Sequence, residues 1–177
     1  MHSTEKVTEI AKKIKLLILD IDGVLTDGGI YFDDTGKELK KFNSLDGHGI
    51  NMLLSSGIDV GVITARSTSS VSYRLKDLGV KHYYHGISDK SIALTELTDK
   101  LSIELSQVCY VGDDVIDLAV MTKVALPIAV ANAHSFVKEH SILVSEKCGG
   151  SGAVREVCDF LLKSQGKYDA LMESYLK

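Results

Sequence analysis

Apolar residues in this chain fall into short runs, and between the runs they recur every three or four positions. The runs at 16–20, 60–64, 83–85, 108–111 and 128–130 read as strands. Their alternation with helical periodicity predicts an α/β fold built around a parallel sheet. Val71, Leu75 and Leu78 mark one helix, stopped by Gly79. A second starts near Ser88, with Ala93, Leu97 and Leu101 facing inward. The clearest follows Gly152, where Val154, Val157, Cys158, Leu161 and Leu162 share one stripe. Two segments break this rhythm. Residues 28–43 read as a β-hairpin turning at Asp33-Asp34-Thr35-Gly36, too short to bury a face alone and so expected to pack on another surface, a partner subunit being one candidate. The tail, 166–177, carries Tyr168, Leu171, Met172, Tyr175 and Leu176 and is expected to dock elsewhere too. The length of 177 residues suits a single domain over 1–177.

Composition narrows the class. A hydrophobic share of 45% and a charged share of 25% are those of an ordinary soluble globular chain. Twenty Lys and Arg against 24 Asp and Glu give a net charge of −4, and no basic cluster invites nucleic acid. Apolar stretches such as 124–131 are under half the roughly 20 residues of a membrane span. Lys6, Lys12, Lys13 and Lys15 precede an apolar run that ends in acids and lacks a small-residue cleavage site. No signal peptide is therefore expected, and the expected location is cytoplasmic. Of three cysteines, Cys109 and Cys158 sit at apolar positions and read as buried thiols, whereas Cys148, beside Gly149 and Gly150, reads as exposed. None has a base partner that would make it a nucleophile.

The chemistry gathers at strand ends. The run 16–19 delivers Asp20 and Asp22 and then turns at Gly23. Two residues apart in a strand, these acids point to opposite faces, so they share one task only where the chain bends. One is then expected to react or bind metal while the other works as an acid/base. The run 108–111 ends in the same way, in Gly112, Asp113, Asp114 and Asp117. Either cluster alone would be read as a turn. Together, at one edge of a parallel sheet, they crowd like charges that a cation must hold, and an all-oxygen set suits Mg²⁺. Thr64 ends a third strand before a helix, a place suited to phosphate, with Ala65 and Arg66 following; Ser67 or Thr68 is expected to cap that helix. Lys90 opposes the dipole of the helix that it opens, which fits a role beside phosphate and Asp20 as well as it fits an ordinary solvated lysine.

In order, Asp20-Ile21-Asp22-Gly23-Val24-Leu25-Thr26, Thr64, Lys90 and Gly112-Asp113-Asp114 resemble the four motifs of the haloacid dehalogenase superfamily of phosphatases. The hairpin directly after the first motif, the stretch 42–50 and the glycine-rich stretch 149–158 are similar to one branch of it. That branch comprises phosphatases acting on 3-deoxy-D-manno-octulosonate 8-phosphate in lipopolysaccharide precursor synthesis. The resemblance implies a Rossmann-like doubly wound sheet without a large cap domain, and a homotetramer in which one subunit closes a neighbour's site. It further implies that Asp20 attacks phosphorus, that Asp22 protonates the leaving oxygen and later activates water, and that Thr64 and Lys90 bind phosphoryl oxygens. Mg²⁺ is then held by Asp20, the backbone carbonyl of Asp22, and Asp113. Substrate contacts map to Asp22, Asn43, Ser44, Leu45, Asp46, Gly47, Asn51, Arg66, Arg74 and Lys90. Four positions depart from the pattern: Ala65 stands for a usual Gly, Asp89 for Asn, and Asn51 and Ser151 for Arg. Ala65 is tolerated if its φ is negative, and Asp89 still caps a helix.

Two other readings compete. One keeps the chemistry and changes the substrate to a nine-carbon keto-acid 9-phosphate; the other is a non-catalytic α/β module that accepts a phosphoryl group as a signal. Among the six histidines none has clear metal-ligand spacing, His48 standing nearest the 46–47 segment.

Overall fold

Leu16–Leu19 forms β1, and all four of its side chains are fully buried, as a strand covered by helices on both faces requires. A computed structural model describes residues 4–177. Around β1 lie β4 (Asp59–Ile63), β5 (His82–Tyr84), β6 (Val108–Gly112), β7 (Leu126–Ala129) and β8 (Leu143–Val144) in one sheet of order β5-β4-β1-β6-β7-β8, every pair parallel. The order reverses at β1, with β4 on one side and β6 on the other. The switch point therefore lies where the acid-tipped strands end.

Helices α1 (Thr4–Ala11), α2 (Ser44–Ser55) and α7 (Ala153–Ser164) pack together on one face, while α4 (Lys90–Leu101) and α5 (Leu118–Met121) pack together against β4 and β6. Helix α3 (Ser69–Asp77) connects β4 to β5, α6 (Ser135–Glu139) lies against β7, and α8 (Tyr168–Ser174) follows α7. The sheet is Rossmann-like and doubly wound, as expected. The insert between β1 and α2 is a hairpin of β2 (Tyr31–Phe32) and β3 (Glu38–Leu39), closed by a turn at Asp33 whose carboxylate accepts from the N–H groups of Thr35 and Lys37.

Several local expectations are corrected. The 43–47 stretch is the start of α2, a helix that the periodicity does not announce. Thr68 occupies the position before α3, yet its hydroxyl caps nothing and is buried without a hydrogen-bond partner. The helix expected near Ser88 starts at Lys90, where Asp89 caps it through the Ser91 N–H at 2.9 Å. The first part of the tail stays on the body, where Tyr168, Leu171 and Met172 pack on the core and Lys163 lies 4.7 Å from the centre of the Tyr168 ring, while Tyr175 and Leu176 are exposed. Cys109 and Cys158 are buried and Cys148 is exposed, as expected.

Candidate active site

The loop after β1 leaves the sheet in a wide turn in which the Thr26 N–H donates to the Ile21 carbonyl at 3.0 Å. The buried Thr26 hydroxyl accepts from the N–H groups of Gly23 and Gly28, each at 3.3 Å, and so staples the turn. Gly23 has φ +86°, and a Cβ there would run into the Asp113 carboxylate. Glycine is needed at this position because the two acid-bearing loops touch. From the far end of the chain, Gly149 sits against the Gly23 carbonyl with no room for a side chain, and the Gly150 N–H donates to the Val24 carbonyl at 2.9 Å.

Asp20 and Asp22 diverge, as strand geometry dictates. Asp20 turns inward, 5% exposed, and meets Lys90 Nζ at 2.8 Å. Lys90 is 2% exposed and also lies 2.7 Å from Asp117 Oδ1. Asp117, fully buried, accepts further from the Tyr110 hydroxyl at 2.6 Å and from the Asp113 and Asp114 N–H groups at 3.0 and 3.3 Å. Asp113 completes the group: one carboxylate oxygen each from Asp20, Asp113 and Asp117 lie within 4.8 Å of one another. Burial, then the Asp117 charge, pushes Asp20 up to about 7 against the pull of Lys90. Burial, then the Asp20 charge, does the same to Asp113, also to about 7. Burial alone would pull Lys90 down, but the two carboxylates hold its ammonium above the ordinary value.

Three carboxylates against one ammonium leave an excess of negative charge at the centre of the sheet edge. The Asp113 carboxylate makes no ion pair among the described residues. Since the donors are all oxygen, the arrangement fits Mg²⁺, to which Asp20 and Asp113 could offer carboxylates. Asp117 is occupied by Lys90, Tyr110 and backbone, and so orients the others.

Asp22 turns the other way, toward the hairpin, where Lys40 Nζ pairs with its Oδ1. Lys40 also lies 2.7 Å from Glu38, and Glu38 binds Arg66 at 2.8 Å. Lys40, then Arg66, holds the Glu38 carboxyl below the usual carboxylate range. Thr64, 2% exposed, directly follows β4 and accepts the Arg66 N–H at 3.3 Å. Ala65 does not have a positive φ. Asp20, Asp22, Thr64, Arg66 and Asp113 line one cleft of about 260 Å³, with Ile30 and Ile116 at its walls.

The remaining sequence candidates lie outside that cleft. Asn43 caps α2 through the Leu45 N–H at 2.8 Å. The Asp46 carboxylate is buried and accepts from the N–H groups of Arg155 at 2.8 Å and Gly152 at 3.3 Å, capping α7 from outside. Ser44 and Gly47 belong to the first turn of α2, Leu45 and Asn51 are exposed on it, and Arg74 pairs with Asp77 at 2.9 Å. Sequence reasoning missed Lys40, Glu38 and Tyr110. The signal for the first two was their i, i+2 spacing at the end of the hairpin, which in extended chain puts both side chains on one face.

Residues 84–156 match the family of haloacid dehalogenase-like hydrolases. A 3-deoxy-D-manno-octulosonate 8-phosphate phosphatase KdsC of Salmonella typhi is 51% identical over 167 residues, which cover 94% of this chain and 88% of that protein. The chain belongs to the 3-deoxy-D-manno-octulosonate 8-phosphate phosphatase family of haloacid dehalogenase-like hydrolases. Solved members of this family superpose closely. The phosphatase of Yersinia pestis gives a TM-score of 0.92 at 46% identity, covering 93% of this chain and 89% of that one. That of Moraxella catarrhalis, in complex with a magnesium ion, a phosphate ion and a KDO molecule, gives 0.95 at 41% identity, covering 98% and 99%. The haloacid dehalogenase-like phosphatase fold thus accounts for the whole doubly wound sheet, and no helix among the described residues is long and apolar enough to cross a membrane.

Proposed function

We propose that this protein is an Mg²⁺-dependent phosphomonoesterase that hydrolyses 3-deoxy-D-manno-octulosonate 8-phosphate to the free sugar acid and phosphate, in lipopolysaccharide precursor synthesis. The observation that carries it is the meeting of Asp20, Asp113, Lys90 and Thr64 at one sheet edge, in a chain about half identical to phosphatases of that name. Asp20 attacks phosphorus as the ester oxygen leaves, forming an aspartyl-phosphate, and Asp22 gives the departing oxygen its proton. Asp22 then takes a proton from the water that hydrolyses the intermediate. Thr64 and Lys90 bind phosphoryl oxygens. Asp20, the Asp22 carbonyl and Asp113 would hold Mg²⁺, which when bound would offset charge on the transferring group.

The cleft is smaller than a typical ligand pocket, so the sugar extends beyond it. Ile30, Tyr31, Phe32 and Leu39 expose large apolar surface on the hairpin, which supports a homotetramer in which hairpins pack together. Substrate contacts from Asn43, Ser44, Leu45, Asn51 and Arg74 would then reach a neighbour's cleft, whereas Arg66 serves its own and the Asp46 carboxylate stays on α7. A guanidinium suits the sugar carboxylate. A cytoplasmic location matches a phosphorylated biosynthetic substrate. Phosphate release from this substrate, measured with Mg²⁺ and with a chelator, tests the reading. Faster turnover of a nine-carbon keto-acid 9-phosphate would replace the substrate, and an aspartyl-phosphate that persisted for minutes would replace turnover with signalling.

A further inference from the structure

Lys40 is an unusual lysine for a hairpin. Its side chain is 1% exposed, and its ammonium lies between Asp22, 18 residues earlier in the chain, and Glu38, two residues before it. Burying a lysine requires partners, and here one partner is a carboxylate of the cleft. Glu38, on β3, and Lys40, just past its end, turn toward the same charge cluster, while Leu39 between them is exposed. Glu38 is itself tied to Arg66, whose Nε lies 4.0 Å from Asp22 Oδ2, so the four charges close into a ring of alternating sign. Lys40 does not line the cleft, and both its partners are carboxylates of this chain. It is therefore placed to hold Asp22 rather than to meet a substrate anion. A surface pair at this position would be nearly neutral in energy; a buried, doubly paired ammonium fixes the carboxylate that it touches.

We propose that Lys40, carried by the hairpin, is the positioning residue for Asp22, aiming its carboxylate so that a proton reaches the leaving oxygen. The proposal rests on the reading of Asp22 as the acid of the first half-reaction. In that step the P–O bond to the leaving group breaks, the Asp20–phosphorus bond forms, and a proton that Asp22 has taken up from solvent beforehand, against the preference of its cationic neighbours for the ionised form, moves to the departing oxygen. An alkoxide needs that proton, whereas p-nitrophenolate departs without it.

The test compares kcat/KM, which reports steps through phosphoryl transfer to Asp20, on 3-deoxy-D-manno-octulosonate 8-phosphate and on p-nitrophenyl phosphate. Wild type, Asp22→Asn, Lys40→Met and Lys40→Arg are each assayed with Mg²⁺. General acid catalysis is worth roughly 100-fold or more, so Asp22→Asn is expected to lose about that on the sugar phosphate and far less on the aryl ester. Lys40→Met is expected to show the same asymmetry at about tenfold, and Lys40→Arg to restore most of it. Equal losses on both substrates, or none, for Lys40→Met while Asp22→Asn stays asymmetric overturn the role of Lys40 alone. Absence of asymmetry in Asp22→Asn overturns the reading of Asp22 beneath it. Should Lys40→Met fail to fold, Glu38→Gln loosens the lysine without removing it and is expected to give a smaller shift of the same kind; no shift there counts against the proposal.

Discussion

Lys90 reaches Asp117 at 2.7 Å in a setting where neither side chain meets solvent. Asp117 ties together the lysine, a tyrosine hydroxyl and two backbone N–H groups, so its removal strands several buried polar groups at once. Asp117→Ala is expected to destabilise the fold by about 3–5 kcal/mol. Urea unfolding checks this: the midpoint falls with little change in slope, and a shift of a few tenths would mean that water fills the gap at no cost.

Asp113 sets a pH dependence whose sign follows from burial. A carboxyl lifted to about 7 in the folded chain binds more protons there than in the unfolded chain between about pH 4 and pH 7, so its contribution to stability falls as pH rises through that window. Asp113→Asn removes this titration. In chelator, the stability of Asp113→Asn relative to wild type is expected to grow from about pH 4 to about pH 7 and then level off. With Mg²⁺ the wild type recovers, because metal favours the ionised carboxylate. Thermal melts of both proteins across this range decide, and a flat difference would mean that Asp113 is ionised throughout.

Gly23 is where the two acid loops touch. Gly23→Ala places a methyl group against Asp113 and forces a left-handed backbone, a strain of about 1–2 kcal/mol before the clash is counted. Titration calorimetry is expected to show weaker Mg²⁺ binding in this variant than in wild type. Unchanged affinity would imply that the loops separate without harm to the metal site.

Asp46 is fixed on the fold rather than the cleft. Its carboxylate caps α7, and burial raises it above the ordinary carboxylate value in spite of those N–H donors. Asp46→Ala is expected to lower stability by about 1–2 kcal/mol, as loss of a helix cap does. An unmoved denaturation midpoint would return Asp46 to a purely substrate-facing role.

The meeting of Asp20 with Asp113 was legible because both follow fully buried apolar runs, and runs of that kind become adjacent parallel strands. Lys90 was only half legible: a cation at the wrong end of a helix fits an ordinary solvated lysine equally well, and its burial between Asp20 and Asp117 is a tertiary fact. Helix α2 was hidden by Gly47 and Gly49, poor helix formers that admit Arg74 and the α7 residues Arg155 and Cys158 at close range. Strand β8 has two residues, too few for a period, and exists by pairing with β7. Lys40 escaped notice because a lysine on a polar hairpin is almost always solvated; only the tertiary path of the hairpin brings it to Asp22.

The contact of Gly149 and Gly150 with the Gly23 loop has a consequence for synthesis. A ribosome releases Asp20, Thr64, Lys90 and Asp113 well before it releases the two glycines that brace the first loop. A nascent chain of 140 residues would hold every acid and cation of the centre, yet its nucleophile loop would lack its final support. Competence is therefore expected to arrive only once Gly149 and Gly150 have been made and have docked on the first loop.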